Sequence, residues 1–343
     1  MAVALTSPDK FRGTLTAAEA AARLATGLRR AGFDEVRELP LADGGEGTLD
    51  ALLAARGGSL RPARVTGPLG EPVEAAWAML PDGIAVVEMA RASGLALVSG
   101  RNDPLRASTR GTGELIAAAA RAGARRILVA VGGSATTDGG LATLQALGWS
   151  LAGLDVTVAC DVRTRFLDAP RLFAPQKGAS AAQVSLLSRR LERLAEEFRE
   201  RTGVDVTALE GSGAAGGLAG GLAAIGARLE PGFEVVARAA GFEDALAGVD
   251  LVVTGEGKVD MTSLDGKVVG GVLEWAAEEG VPNRAVVAGQ VTPEAREEIS
   301  VLGAVDVLAL TDRVWQAGEA FARAGMLVEE AAIELGRKVL SEA

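Results

Sequence analysis

Short apolar runs recur along the chain, and most are followed by glycine and then by apolar positions at helical spacing. Val3 to Ser7, Val36 to Ala42, Ile127 to Gly132, Val156 to Cys160, Leu251 to Thr254, Ala285 to Ala288 and Val305 to Leu310 read as strands. Between them lie helical patterns with their own start and stop signals. Thr16 with Glu19, and Ser180 with Gln183, have the spacing of capping boxes, and these helices end near Gly32 and at Gly203. Further helices are expected over Gly47 to Arg56 (closed by Gly57 and Gly58), Thr112 to Ala122 and Leu141 to Leu147. Leu60 to Met89 differs: apolar and polar residues alternate between Gly and Pro turns, the pattern of antiparallel strands.

Alternating strands and helices make this an α/β protein, and the antiparallel stretch interrupts its parallel rhythm. The reading is therefore a parallel-sheet domain from residues 1–64 and 247–343, split by an inserted mixed α/β domain over 65–246. The two crossings are the only covalent links, so hinge closure on ligand is expected. A chain of 343 residues with 48% hydrophobic and 23% charged residues has enough material for two cores.

Charge and composition narrow the partners. A net charge of -10 disfavours nucleic acid and anionic membranes, while a small anion must be met by local positive charge. Cys160 is the single cysteine, which excludes an internal disulfide and suits a reducing cytoplasm. MAVALTSPDK lacks the features of a signal peptide, and no stretch approaches the ~20 apolar residues of a membrane span. Either a monomer or a homodimer is compatible with this composition.

Two scarcities bear on chemistry. There is no histidine, so histidine triads, histidine zinc sites and histidine bases are excluded, and a proton acceptor must be sought among Asp and Glu. Lysine is confined to Lys10, Lys177, Lys258, Lys267 and Lys338, and the first four stand in loops beside Gly, Pro or Asp. Either this is chance in an arginine-rich chain, or compact ammonium charges are needed there.

Ligands of open α/β sheets bind where strands end and helices begin. SPDKFRGT after the first strand offers Asp9, Lys10 and Arg12, and ADGGEGT after the second offers Asp43. RRILVAVGGSATTDGG holds more glycine and hydroxyl groups than a strand-to-helix turn requires. Gly132, Gly133, Ser134 and Thr136 suit a nest of N–H groups around phosphate, and Asp138 can ligate magnesium or accept a proton. TGEGKVD brings Gly255, Glu256, Gly257, Lys258 and Asp260 to one loop, with Lys267 just beyond. PQKG places Lys177 before a capped helix.

GSGAAGG, residues 211–217, matches the dinucleotide fingerprint by letter, after an expected strand at Val204 to Leu209. The required acid would be Glu230, which is expected in a turn, so close packing through glycine is the competing explanation. Together the loops supply carboxylates, lysines and glycine nests without a nucleophile, which are the parts of phosphoryl transfer. A nicotinamide oxidoreductase and a non-catalytic nucleotide-binding regulator are the other classes considered.

The ordered set SPDKFRGTLTAAEAA, PLADGGEGT, VTGPLGEPV, EMARASGLALV, TRGTGELI, VGGSATTDGG, CDV, PQKGA, GAAGGL, DLVVTGEGKVD and AGQV resembles the bacterial glycerate kinase family of the two-domain type, over most of the chain. The resemblance implies a Rossmann- or flavodoxin-like domain split by a second domain, with the site in the cleft between them. It also implies an ATP-dependent kinase acting on D-glycerate with Mg2+, 2-phosphoglycerate being the favoured product and 3-phosphoglycerate, or phosphorylation of a related hydroxy acid, the alternatives. The expected catalytic residues are Asp138, Asp43, Lys10, Lys177 and Lys267. Nucleotide contacts are expected from Gly132, Gly133, Ser134, Thr136, Gly255, Glu256, Gly257 and Lys258, and metal ligation from Asp138 and Asp260. The chain departs from the family at Thr137, where Asn is usual, and at Thr262, where Gln is usual. It also departs in a shortened segment after Gly148 and in Arg163 to Leu172.

Overall fold

A computed structural model describes residues 1–302, 305–315 and 317–342. In chain order the strands are β1 (Val3–Thr6), β2 (Glu35–Glu38), β3 (Ser59–Thr66), β4 (Pro72–Met79), β5 (Ile84–Glu88), β6 (Arg126–Ala130), β7 (Asp155–Cys160), β8 (Arg228–Pro231), β9 (Leu251–Thr254), β10 (Lys258–Val259), β11 (Asn283–Ala288), β12 (Gln290–Val291) and β13 (Val305–Ala309). Two compact units result. The first holds Met1–Asp43, Asp50–Ala55 and the described residues from Phe233 on, and the second holds Gly44–Leu49 and Arg56–Gly232. The sequence places the crossings near 64 and 247, whereas the chain passes between the units at 43/44, 49/50, 55/56 and 232/233. In the structure β3 pairs with β4 from Ser59 to Thr66, which accounts for the earlier crossing near Arg56.

The first unit is built on a five-stranded parallel sheet of order β13-β11-β9-β1-β2. Counted within the sheet, that order is 2-1-3-4-5, the flavodoxin-like winding, with its switch point between β1 and β9. Both faces are dry. Ala285 and Val287 of β11 join a core with Leu24, Leu28, Leu327 and Leu335, while Val286 and Ala288 join another with Val259, Val269 and Leu273. Strand periodicity sends successive side chains to opposite faces, which explains why these strands read as unbroken apolar runs. Thr16 and Glu19 form the expected capping box on the helix Ala17–Ala31.

The second unit has a six-stranded mixed sheet, β3-β4-β5-β6-β7-β8. The β3-β4 and β4-β5 pairs are antiparallel, as the alternation of residues 60–89 requires, and the rest are parallel. Val87, Val129 and Val158 share one core, and Ser180 and Gln183 cap the helix Ala181–Thr202.

Two local expectations are corrected. Val204 to Leu209 forms turns rather than a strand, and Glu230 lies in β8 rather than in a turn. The segment after Gly203 has no strand partner, whereas Arg228 to Pro231 is drawn into the ladder beside β7. The GSGAAGG stretch consequently lacks the strand that a dinucleotide fingerprint must follow. Its glycines serve close packing instead. Within Ala214–Ala224, Ala215, Gly216 and Gly217 take left-handed angles, and a Cβ on Gly216 would stand 2.1 Å from the Thr136 carbonyl oxygen.

Candidate active site

The sequence-identified residues gather in two groups, one in each unit. In the second unit the loop after β6 carries Gly132, Gly133, Ser134, Thr136 and Asp138. This loop is held by backbone contacts: Val131 N–H donates to the Gly44 carbonyl at 3.0 Å, and Gly139 N–H to the Gly216 carbonyl at 3.0 Å. A Cβ on Gly132 would meet the Gly45 Cα at 2.6 Å. Part of the glycine content that suggested a phosphate nest is thus explained by packing.

Asp138 is half-buried and firmly held. Its Oδ2 accepts from the Thr109 N–H and hydroxyl, both at 2.8 Å, and its Oδ1 accepts from Gly140 N–H at 3.1 Å. Burial raises its pKa above the ordinary carboxylate value, against the pull of those donors. Lys177 is 4% exposed, and its Nζ donates to the Ser134 hydroxyl at 2.7 Å and the Thr136 carbonyl at 2.6 Å. Burial lowers its pKa to about 8, with the Asp138 charge acting in the opposite sense. The Asn102 amide ties the two segments together, donating to the carbonyls of Ala135 at 3.0 Å and Lys177 at 2.9 Å. Thr136 and Thr137 have buried hydroxyl oxygens without a hydrogen-bond partner.

In the first unit the loops after β1 and β9 meet at the switch point. Asp9 N–H donates to the Gly255 carbonyl at 2.9 Å, and the Thr254 hydroxyl donates to the Ser7 carbonyl at 2.9 Å. A Cβ on Gly255 would stand 1.7 Å from the Val287 carbonyl oxygen, so this position has no room for a side chain. Asp9 is buried and its pKa is pushed up to about 7. Desolvation is the main cause, the Lys10 ammonium opposes it, and the Asp43 and Glu256 carboxylates add to it. Glu256 is likewise raised by burial, with Lys267 lowering it and Asp43 and Asp260 raising it. Lys10, Asp43, Glu256 and Lys267 therefore share one electrostatic environment around Asp9.

Asp260 has a local role. Its Oδ1 accepts from the Thr262 N–H at 3.0 Å and hydroxyl at 2.7 Å, capping the short helix Met261–Leu264, and the Lys258 ammonium lies 3.8 Å from its Oδ2. These hydrogen bonds hold its pKa below the usual range. Lys258 is exposed. Among the described residues no group of three or more Asp, Glu, Cys or His could by itself hold a metal. Asp9 is not marked by the sequence as a catalytic residue, because its burial depends on a loop from the far end of the chain. Nor is Thr109, because nothing near it in sequence marks it as the partner of Asp138.

A flavodoxin-like sheet with Asp9 and Glu256 at its switch point, and a buried Lys177 hydrogen-bonded to the glycine loop that carries Asp138, suit an α/β phosphotransferase. The chain belongs to the glycerate kinase family, whose model matches residues 4–154 and 149–340. It is 40% identical over 325 residues to the glycerate 2-kinase of Escherichia coli K12, covering 84% of this chain and 85% of that one. It is 40% identical over 314 residues to a glycerate kinase of Bacillus subtilis, covering 80% and 82%. A crystal structure described as a glycerate kinase 2 from Salmonella typhimurium LT2 matches with a TM-score of 0.85 at 34% identity, covering 99% of each chain. The protein is therefore a kinase, and the oxidoreductase reading of GSGAAG is withdrawn. Among the described residues no helix is long and apolar enough to cross a membrane.

Proposed function

We propose that the protein transfers the γ-phosphoryl group of ATP to the 2-hydroxyl of D-glycerate, in the cytoplasm. The observation that carries this reading is a buried ammonium, Lys177, hydrogen-bonded to Ser134 and Thr136 of the loop that also carries the firmly held Asp138, in a histidine-free chain. Phosphoryl transfer needs positioned charge more than covalent chemistry, and a compact ammonium in a dry setting acts more strongly than in water.

Asp9 acts as the general base. A proton acceptor works best with a pKa near the working pH, and burial beside Asp43 and Glu256 brings Asp9 to about 7. Lys10 keeps its ionised form accessible, and Lys10 and Lys267 supply positive charge for the substrate carboxylate.

The donor chemistry also suits Mg2+, a hard ion that is commonly held by one or two carboxylates with water and substrate phosphates completing its shell. Asp138 would hold it, because its orientation is fixed by Thr109 and its burial disfavours an uncompensated anion. Once bound, the ion would neutralise phosphate charge. Asp260 is the weaker candidate, because it caps its own helix. A second assignment makes Asp138 the base, which the same raised pKa favours.

The test is a coupled ADP-release assay with D-glycerate, followed by NMR identification of the product. ATP- and glycerate-dependent formation of 2-phosphoglycerate is expected. A 3-phosphoglycerate product would overturn the position, and no turnover would overturn the substrate.

A further inference from the structure

A cavity of about 370 Å3 opens in the second unit against the loop that carries Asp138. Leu105, Leu141 and Leu194 give apolar lining, Thr137 and Asp138 add polar groups from the loop after β6, and Arg193 and Glu197 add charge. We propose that this cavity seats the adenine ring of the nucleotide, an inference that rests on the kinase reading above and gives it a nucleotide subsite.

Size and lining both favour this occupant. Small-molecule sites commonly run from about 300 to 1,000 Å3, with mostly apolar walls and a few placed polar groups. Glycerate has an oxygen on every carbon and no apolar face, so leucine walls would desolvate it without return. A purine has two apolar faces and an edge of donors and acceptors. Its faces match the leucines, and its edge matches a carboxylate beside a guanidinium.

Each charged group has a local partner. The Glu197 carboxylate is held by Arg201 at 3.1 Å, and Arg190, also on the cavity wall, donates to the Leu105 carbonyl at 2.8 Å. Arg193 donates from Nε to the Arg189 carbonyl at 3.3 Å. Asp138 belongs to both cavity and loop, so a nucleotide whose base fills the cavity has the Ser134 to Asp138 segment beside it for its phosphates. The helix Ala181–Thr202, which supplies Leu194 and Glu197, was read from the sequence only as a capped helix. It gains a binding face from this assignment.

Ala107 is 3% exposed and lines the cavity, so Ala107→Leu would fill it. ADP and inorganic tripolyphosphate, which lacks a base, are titrated calorimetrically against the wild type and this variant, and KM is measured for ATP and for glycerate. The expected result is a ~10-fold or greater weakening for ADP and a matching rise in KM for ATP, with tripolyphosphate affinity and KM for glycerate changed by less than ~2-fold. An unchanged ADP affinity, an equal loss for ADP and tripolyphosphate, or a rise confined to glycerate would overturn the assignment. Should Ala107→Leu not fold, Glu197→Gln decides: the preference for ATP over GTP must shift by ~10-fold or the proposal fails. If the wild type binds ADP but does not phosphorylate glycerate, the substrate reading fails while the ADP titrations still judge the cavity.

Discussion

The Lys177 ammonium donates to the Ser134 hydroxyl at 2.7 Å, which buries a cation against the glycine-rich loop after β6. A guanidinium is larger, planar and more diffuse than an ammonium. Lys177→Arg is expected to lower kcat/KM for ATP by ~10-fold or more, about 1.4 kcal/mol of transition-state stabilisation. Lys258 is exposed and lies 3.8 Å from Asp260, so Lys258→Arg should leave the same quantity within ~2-fold. Equal activity of both variants would return Lys177 to a structural role.

The same lysine makes stability depend on pH. Its folded pKa of about 8 lies below the ordinary lysine value of 10.5, so between these values the unfolded chain holds a proton that the folded chain has released. Stability should therefore rise with pH across that window, by a total on the order of 3 kcal/mol. The chain has neither histidine nor tyrosine to confuse the result. The buried Cys160 thiol, pushed up from 9.0 to about 12, acts in the opposite sense above pH 9. Urea unfolding of a Cys160→Ala background at about pH 8, 9 and 10 isolates the lysine, and Lys177→Met should flatten the rise.

Asp9 gives the reverse sign. Its pKa rises from 3.8 to about 7 on folding, so the folded chain holds the extra proton and stability falls as pH increases through that interval. Asp9→Asn should remove this dependence and give a variant more stable than the wild type above pH 7. As the base, Asp9 should also impose an acid limb with an apparent pKa near 7 on kcat/KM. The variant should lose ~10²-fold in kcat, and whatever rate remains should lack that limb. A limb that survives in Asp9→Asn and vanishes in Asp138→Asn would transfer the role to Asp138.

Asp138 and Thr109 form a graded pair. Asp138→Asn is expected to lower kcat by ~10² or more. Thr109 donates to Asp138 from both its backbone N–H and its hydroxyl, and Thr109→Val removes only the hydroxyl. That variant should lose ~10-fold in kcat, and Thr109→Ser should restore most of it. Near-normal turnover in Asp138→Asn would remove this residue from the chemistry.

Much of this was legible along the chain because its signals are local. Both capping boxes lie within three residues of sequence, and strand alternation has a period of two, so neither needs a distant partner. The glycine loop after β6 and the place of Asp138 in it were legible for the same reason, since a strand ending in glycine beside charge is a local pattern. Tertiary structure alone decided which of these groups share a site. Asp9 becomes a candidate base because the loop after β9, more than 240 residues away, closes over it and removes water. Thr109 meets Asp138 through a fold contact spanning 29 residues. Glu230 entered a strand, contrary to its turn-like sequence, because the free edge of β7 offered hydrogen bonds that its neighbours could not. Desolvation and ladder pairing are non-local: residue type sets what a side chain can do, and the packing of remote segments sets its pKa and its partners.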